Sequence, residues 1–342
     1  MDPNAIANAP TSGGEKGQES PAELIALYRS MVRLRTYDER AVLYQRQGRI
    51  GTYAIFWGHE ALQAGAVHAL DPGDWIFPSY RESAIGLLRG IPASSLLSWW
   101  RGHPNGWWNP HDRRVAPIAV PVGSHVSHAA GMAWGLKLRG EARCVLAFFG
   151  DGATSTGAFH EGMTFAAAQR VPAVFLCNNN SWAISTPTTS QSGAERLVDK
   201  AIGYGIRGVR VDGAEPLAVR DAVREAAERA RAGEGPQLIE AVTFRAAPHA
   251  TADDPERYMD PVQLRAARER ECLGRFRSAL RQRGILEEQT RAEIAREAVE
   301  EMEAGIAEAE ALPEPDPRLI FDTAFARPPA ALRRQRNSEL EA

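Results

Sequence analysis

Hydrophobic residues along this chain follow two patterns, short continuous runs and longer stretches with helical spacing. The short runs, typical of buried strands, lie at residues 52–57, 75–78, 144–149, 173–177, 209–213 and 237–244. The helical stretches lie at residues 24–47, 59–70, 128–138 and 215–232, with two charged stretches over 261–311. Helices and strands alternate, which predicts an α/β fold with a parallel sheet and helices on both faces.

Residues 144–185 organise the rest of the chain. A strand-like apolar run ends at Gly150-Asp151-Gly152, where two glycines permit a tight turn and the close approach of a ligand. A helix with one apolar face follows, and the next strand runs into Asn178-Asn179-Asn180. Because parallel strands end at the same sheet edge, we expect Asp151 and these amides to lie together where ligands of open α/β sheets bind.

The oxygen donors of this unit indicate a magnesium–diphosphate anchor. A carboxylate, amide oxygens and backbone carbonyls suit Mg²⁺, which takes its other ligands from water and phosphates. The alternative is that Gly150-Asp151-Gly152 is an ordinary surface turn and that Asn178-Asn179-Asn180 is a polar end of a strand, without a ligand. A dinucleotide site is rejected, because Gly157 comes two residues too late for G-x-G-x-x-G and no acid closes the second strand.

Two further side chains follow predicted strands. Arg81 comes just after residues 75–78, where it is placed to bind a phosphate, although such an arginine is often an ordinary surface cation. His249 follows residues 237–244, and at this sheet edge it is placed to protonate or hydrogen-bond an intermediate, whereas most loop histidines are simply solvated. The other polar residues of its loop either pair within it or form a solvated lid: Asp253, Asp254, Arg257 and Tyr258.

Two regions suggest contacts with a partner. Residues 99–117 are dense in Trp, Pro, Gly and Asn without a clear period, which predicts a long ordered loop that is functional or forms an interface. The helix at residues 128–138 is rich in small residues, so we expect it to pack closely against another helix, from this chain or from a second subunit.

Composition limits the possible functions. The chain has 342 residues, and 40 basic and 43 acidic residues give a net charge of −3, which argues against a general nucleic-acid surface. The three cysteines lack metal or redox spacing and are expected to be free structural thiols. No apolar run reaches membrane length, so no membrane partner is expected. Without repeats or linkers, residues 21–342 are predicted to form one domain.

The first twenty residues are polar and rich in Gly, Pro and Ser. They contain no arginine and no apolar core, so they fit neither a signal peptide nor a mitochondrial transit peptide. We therefore expect a disordered tail at residues 1–20 and a cytoplasmic location.

Several motifs together resemble one enzyme family. They are RQGRIGTY, GHEA, FPSYRE, GDGATSTGAFHEG, NNNSWAISTP, GIRGVRVDG, GEGPQLIEAVTFR and PHATADDPERY. From about Leu24 onward the chain resembles the α subunits of the thiamine-diphosphate-dependent decarboxylating component of 2-oxo acid dehydrogenase complexes. The resemblance implies a thiamine-diphosphate-binding fold, with Mg²⁺ and thiamine diphosphate as cofactors.

The resemblance also implies partners and a reaction. Two α and two β subunits would form a heterotetramer that binds the cofactor between an α and a β chain. The enzyme would decarboxylate a 2-oxo acid and transfer the acyl group reductively to a lipoyl arm of the acyltransferase component. In the family, the glutamate that activates the aminopyrimidine ring lies on the β chain, so we expect this polypeptide alone to be inactive.

Position by position, the resemblance assigns metal and diphosphate contacts. Asp151, Asn180 and the backbone carbonyl of Trp182 would bind Mg²⁺. Gly152 and Ala153 would contact the diphosphate through their backbone.

The remaining cofactor contacts come from other motifs. Tyr80 and Arg81 would reach the diphosphate by their side chains, and Val122 would meet the aminopyrimidine through its main chain. His249 would be the catalytic loop histidine that acts on the cofactor-bound intermediate and the lipoyl group. Mitochondrial members carry a regulatory serine directly after this histidine, and Ala250 excludes phosphorylation at that position.

Three positions depart from the family pattern. Branched-chain members often have Arg at the position of Asn178, which removes one phosphate contact. Trp182 replaces a tyrosine, with little expected consequence because the carbonyl is the ligand. His59 replaces the glutamine of GQEA, and the resemblance assigns no effect, favourable or unfavourable, to this change.

The sequence leaves the substrate open. Residues 101–133 lack the KGRQMP-like run of branched-chain enzymes and are closer to bacterial pyruvate enzymes, whereas the PEPDPRLIFDTAF tail is closer to branched-chain ones. Ala54 replaces a histidine of mitochondrial pyruvate enzymes, and acetoin remains a third candidate. We favour pyruvate. A non-catalytic scaffold subunit is the alternative of another class, against which the intact Asp151, Asn180, Arg81 and His249 argue.

Overall fold

The computed structural model describes residues 6–8, by their backbone, and residues 19–340. The strands are β1 (Ile6–Asn8), β2 (Trp75–Phe77), β3 (Val145–Gly150), β4 (Ala173–Asn179), β5 (Trp182–Ala183), β6 (Thr186–Pro187), β7 (Arg207–Asp212) and β8 (Gln237–Val242). The helices of the first half are α1 (Pro21–Arg46), α2 (Glu60–His68), α3 (Ala93–Trp100), α4 (Pro110–Arg113), α5 (Ser124–Leu138) and α6 (Gly157–Gln169). Those of the second half are α7 (Thr188–Gln191), α8 (Lys200–Tyr204), α9 (Pro216–Arg229), α10 (Pro261–Glu269), α11 (Cys272–Gln282), α12 (Glu288–Glu310), α13 (Leu319–Asp322) and α14 (Ala330–Leu340).

Six strands form one parallel sheet in the order β1-β7-β8-β4-β3-β2, and β5 and β6 form a separate antiparallel hairpin. Short 3-10 helices also occur, at Tyr80–Arg89, Pro104–Gly106, Asp151–Ser155, Leu197–Asp199 and Pro255–Arg257. The predicted α/β class with a parallel sheet is confirmed.

Both faces of the sheet are buried, which explains the continuous apolar runs. Leu146 and Phe148 of β3 belong to the core that includes residues of α1, α2 and α9, whereas Val145, Ala147 and Phe149 belong to the core that includes residues of α5 and α6. Successive strand residues point to opposite faces, so a strand covered by helices on both sides needs apolar residues at every position.

The β3–α6–β4 unit has the predicted connectivity. Gly150 at the end of β3 lies opposite Asn178 in β4. Thr156 caps α6, because its hydroxyl accepts a hydrogen bond from the Phe159 amide at 3.3 Å. The unit therefore brings Asp151 and the asparagines to the same carboxyl edge of the sheet.

Helix α5 begins at Ser124, four residues before the predicted start, and packs on α6 of the same chain. A Cβ atom added at Gly162 would lie 3.0 Å from the Ser127 amide nitrogen and from Val126 Cγ1. The small residues therefore serve a close helix–helix contact within this chain.

Three expectations about elements are wrong. Residues 52–57 form no strand. Residues 99–117 begin inside α3 and include α4, so they are only partly loop. Residues 261–311 form three helices rather than two, because α10 and α11 are separate.

The described termini and the cysteines complete the fold. In the predicted N-terminal tail, Ile6–Asn8 pairs with β7, and the Ser20 hydroxyl caps α1; residues 1–5 and 9–18 lie outside the described residues. All three cysteines are buried and free, as predicted. Among the described residues, no helix combines the length and the apolar character needed to cross a membrane.

Candidate active site

A cleft of about 810 Å³, including its open mouth, lies at the carboxyl edge of β3 and β4. Every residue to which the sequence assigned a role lines this cleft: Tyr80, Arg81, Val122, Asp151, Gly152, Ala153, Asn180, Trp182 and His249. These residues come from five separate segments, so the fold brings together what the sequence keeps far apart.

Asp151 stands at the base of the cleft and is 2% exposed. Its Oδ2 accepts hydrogen bonds from Thr188 Oγ1 at 3.0 Å and from Gln191 Nε2 at 3.1 Å. Burial raises the pKa of Asp151, and the two donors act against that shift by stabilising the charged form. Among the described residues none donates a hydrogen bond to Oδ1, so one oxygen of this carboxylate is free to bind a cation.

Asn180 and Trp182 lie on the turn that follows β4. The Asn180 Oδ1 accepts a hydrogen bond from the Trp182 amide at 3.1 Å, which holds the two residues in a tight turn. Ser181 between them has a positive φ of 72°. The turn leads into the β5–β6 hairpin, which packs against the Gly150-Asp151-Gly152 turn.

Gly152 is required by this packing. An added Cβ would lie 2.8 Å from the Cβ of Ala183 in the hairpin, closer than real side chains approach. Ala153 follows it in the 3-10 turn and is buried. Val122 also lines the cleft and is half exposed, and the φ of 81° at the next residue, Gly123, favours glycine.

Arg81 is buried and tied to the histidine loop. It donates from Nη1 to the carbonyl of Ile55, and from Nη2 to the carbonyl of His249 at 3.2 Å. Its Nη2 also lies 3.0 Å from His249 Nδ1. The neighbouring Tyr80 ring lies edge-on to the His249 ring, with centroids 6.0 Å apart.

His249 is half-buried between two guanidinium groups. Burial, with Arg81 and Arg245 nearby, lowers the pKa of His249 to about 4. Because both arginines point N–H groups at Nδ1, that nitrogen is the acceptor, and the proton of the neutral ring is on Nε2. His249 is thus a neutral side chain at physiological pH.

The loop around His249 pairs within itself. Asp253 Oδ2 accepts hydrogen bonds from the His249 amide at 2.7 Å and from the Tyr258 hydroxyl at 2.5 Å. Burial acts to raise the pKa of Asp253, but these two bonds and Arg245 hold it below its usual value. Of the two sequence alternatives, pairing within the loop is confirmed for these residues.

Arg245 is a site residue that sequence reasoning missed. It is 1% exposed and donates to the carbonyl of Ile184 at 2.6 Å and to the Tyr258 hydroxyl at 2.7 Å. Among the described residues neither Arg245 nor Arg81 pairs with a carboxylate, and the Arg245 Nε has no hydrogen-bond partner. An arginine just after a predicted strand, the signal used for Arg81, would have identified it.

The two departures at positions 59 and 178 are neighbours in the structure. The Asn178 side-chain nitrogen lies 3.2 Å from His59 Nδ1 and 3.3 Å from Glu82 Oε1, and Asn178 Oδ1 accepts from Thr243 Oγ1 at 2.7 Å. Burial, together with the charge of nearby Arg81, lowers the pKa of His59 to about 3, so the ring is neutral. These residues form a buried polar cluster, of which Asn178 and Glu82 line the cleft.

Comparison with known proteins places these observations in a family. The family described as "Dehydrogenase E1 component" matches residues 28–318. The chain is 40% identical over 332 residues to the 3-methyl-2-oxobutanoate dehydrogenase subunit alpha of Mycobacterium tuberculosis, a match that covers 96% of this chain and 89% of that protein.

Pyruvate enzymes are equally similar. The chain is 40% identical over 289 residues to the pyruvate dehydrogenase E1 component subunit alpha of Staphylococcus aureus, covering 84% of this chain and 78% of that protein. It is also 40% identical over 292 residues to the corresponding subunit of Bacillus subtilis, a match that covers 85% of this chain and 79% of that protein. Identity alone therefore does not separate the two substrate classes.

Proposed function

This chain belongs to the dehydrogenase E1 component family, and on that premise we propose that it is the α subunit of a pyruvate dehydrogenase. Family membership makes it a thiamine-diphosphate-dependent oxidoreductase of the 2-oxo acid dehydrogenase class. The observation that supports a catalytic, cofactor-binding subunit is the convergence of the nine assigned residues around one cleft.

The residues of the cleft fit Mg²⁺ and a diphosphate. Within the described part of the chain, one oxygen of the Asp151 carboxylate has no hydrogen-bond donor, and hard oxygen ligands of this kind suit Mg²⁺. Arg81 of the cleft and the adjacent Arg245 have no carboxylate partner among the described residues, and their positive charge favours an anion. We propose Asp151, Asn180 and the Trp182 carbonyl as Mg²⁺ ligands.

The other cleft residues would contact the organic cofactor. Gly152 and Ala153 would meet the diphosphate through their backbone, Tyr80 and Arg81 by their side chains, and Val122 would meet the aminopyrimidine through its main chain.

Thiamine diphosphate supplies, when bound, the nucleophilic carbon and the electron sink that decarboxylation requires. The chain's own groups then position and handle protons. The two arginines hold Nδ1 of His249, which leaves Nε2–H of the neutral ring as a hydrogen-bond donor near neutral pH. Its neutral state avoids a third positive charge beside the arginines.

Membership as an α subunit implies a β subunit. We propose a heterotetramer of two α and two β chains that delivers the acyl group to the lipoyl arm of an acyltransferase component. The half-exposed apolar side chains of Val122 and Ile184 at the cleft support a covering partner, because such groups are usually buried in an assembly.

Pyruvate is the favoured substrate because residues 101–133 lack the branched-chain type of run, and two relatives carry pyruvate in their names. A branched-chain 2-oxo acid is the second candidate. It is favoured by the longer match to the mycobacterial relative, which covers 96% of this chain.

The test is decarboxylation by this chain co-expressed with its β subunit, using an artificial electron acceptor. Pyruvate, 3-methyl-2-oxobutanoate and acetoin are compared by kcat/KM, and we expect pyruvate to lead by more than about tenfold, or about 1.4 kcal/mol. A lead of 3-methyl-2-oxobutanoate or acetoin would overturn the substrate assignment. Absence of Mg²⁺-dependent thiamine-diphosphate binding would instead indicate a scaffold subunit.

A further inference from the structure

The segment between α1 and α2 has no helix or strand over residues 51–59, and its central stretch Tyr53–Phe56 is buried. Tyr53 and Phe56 have no exposed surface, and Ala54 and Ile55 are less than a tenth exposed. A buried backbone that joins no helix or sheet must find other partners for its amides and carbonyls. Those partners show what the segment holds in place.

On one side the segment binds the histidine loop and its arginine. The Tyr53 carbonyl accepts from the Thr251 amide at 3.0 Å, and the Tyr53 amide donates to Thr251 Oγ1 at 3.3 Å. The Ile55 carbonyl accepts from Arg81 Nη1, and Nη2 of the same guanidinium contacts His249. The segment thus binds Arg81, which contacts the His249 ring, and Thr251, which lies two residues further along the loop.

On the other side the segment is bound by Asp38 of α1. Asp38 is 1% exposed, and its Oδ1 accepts from the Tyr53 hydroxyl at 2.9 Å and from the Phe56 amide at 3.0 Å. Among the described residues these are the only hydrogen bonds to the Asp38 side chain. A carboxyl group buried this deeply is costly unless bonded, and its bonds here hold both ends of the short stretch Tyr53–Phe56.

We propose that Asp38 and Tyr53 are positioning residues for His249, acting through the stretch Tyr53–Phe56 on Arg81 and on the loop at Thr251. Neither residue lines the cleft, so neither touches substrate or cofactor. This inference rests on the proposed function, in which His249 acts on the bound intermediate.

The experiment uses the complex with the β subunit and cofactor. Tyr53→Phe keeps the ring that packs edge-on to Trp100 at 5.0 Å and removes the hydroxyl. Tyr44→Phe is the matched control, because Tyr44 is 2% exposed and its hydroxyl donates to Glu310 at 3.1 Å, with no bond to the segment or the loop. Hydrogen exchange of peptides covering residues 249–259 and steady-state kinetics are measured for each.

We expect faster exchange in the loop and about tenfold lower kcat for Tyr53→Phe, with KM for the 2-oxo acid little changed, because small misplacements of catalytic groups are costly. Tyr44→Phe should leave the hydrogen exchange of the loop and kcat unchanged. Asp38→Asn keeps an acceptor oxygen and should behave like the unmodified complex, whereas Asp38→Ala should resemble Tyr53→Phe.

Equal loop exchange and equal kcat for the two Tyr→Phe complexes would overturn the inference. If Tyr53→Phe does not fold, Thr251→Val tests the same link from the loop, with the same expected and contrary results. If the unmodified complex decarboxylates no 2-oxo acid, the proposed function fails, and the exchange comparison still decides whether Asp38 and Tyr53 hold the loop.

Discussion

At Asp151, the proposed Mg²⁺ ligand, two neighbouring side chains bind the same carboxylate oxygen. Thr188 and Gln191 both donate to Oδ2, which orients the carboxylate and leaves Oδ1 without a donor among the described residues. Both donors come from α7, directly after the β5–β6 hairpin. Groups that orient metal ligands in this way contribute strongly to metal affinity.

Thr188→Val removes one of the two donors at nearly constant volume. We expect Mg²⁺-dependent thiamine-diphosphate binding by the α–β complex to weaken by about 10- to 100-fold, as measured by calorimetric titration. Thr188→Ser keeps the hydroxyl and should bind normally. The control is Thr189→Val, an exposed neighbour whose side chain makes no hydrogen bond with the described residues; equal weakening in both valine variants would contradict the role of Thr188.

His59 makes the folded chain sensitive to acid. Its pKa is lowered to about 3 when folded and is about 6.5 in an unfolded chain, so the unfolded state binds the proton more readily. The stability that this neutral ring contributes is therefore complete above about pH 6.5 and is lost as the pH falls toward about 3.

His59→Gln should remove this dependence. Between about pH 7 and about pH 5, the free energy of unfolding should fall by about 2 kcal/mol less in the variant than in the unmodified chain. Urea unfolding of each chain at both pH values measures this change in the free energy of unfolding. Comparing the two chains cancels other titrating groups such as Asp38, whose pKa burial raises to about 7. Equal losses in both chains would show that His59 does not titrate on unfolding.

At the scale of elements, the α5–α6 contact is set by glycine. Helices approach closely where side chains are absent, and Gly162 faces the backbone at Ser127.

We expect Gly162→Ala to be less stable than Gly131→Ala by about 2 kcal/mol, because overpacking outweighs the gain in helix propensity. Gly131 is the control, since no atom outside its own helix lies within 4 Å of an added Cβ. Thermal unfolding of the two variants measures the difference, and similar Tm values would contradict it.

The stretch at residues 52–57 shows where element prediction failed. Its aromatic and β-branched residues favour a strand, but they are buried among α1, α3 and the histidine loop rather than beside another strand. Its hydrogen bonds go to Asp38, Thr251 and Arg81 instead. Tertiary contacts therefore override the strand propensity of these residues, and no local sequence pattern reveals those contacts.

At the scale of the whole molecule, the cleft is open on one side. Val120, Val122 and Ile184 are each at least half exposed, and the last two line the cleft. In the family resembled by the sequence, the activating glutamate belongs to the β chain.

We expect the purified chain alone to show no decarboxylation and the co-expressed α–β complex to be active, when both are assayed with the same artificial electron acceptor. Robust turnover by the chain alone would contradict the shared site.

The sequence by itself determined the sheet class, the β3–α6–β4 unit and the residues that line the cleft. These follow from local signals: apolar runs for strands buried on both faces, glycines at turns, and polar residues at strand ends that a parallel sheet must bring to one edge. A resemblance spread over several motifs added the roles of Tyr80, Val122, Ala153 and Trp182.

Only the tertiary structure decided which side chains support that cleft. Arg245 beside His249, Thr188 on Asp151 and Asp38 behind Tyr53 are each placed by contacts between segments far apart in the chain. Arg245 directly follows a predicted strand, but the residue types of Thr188 and Asp38 are common and their spacing has no period, so no sequence pattern distinguishes these two. A buried polar group is recognised only by its partners, and those are fixed when the helices and the sheet pack together.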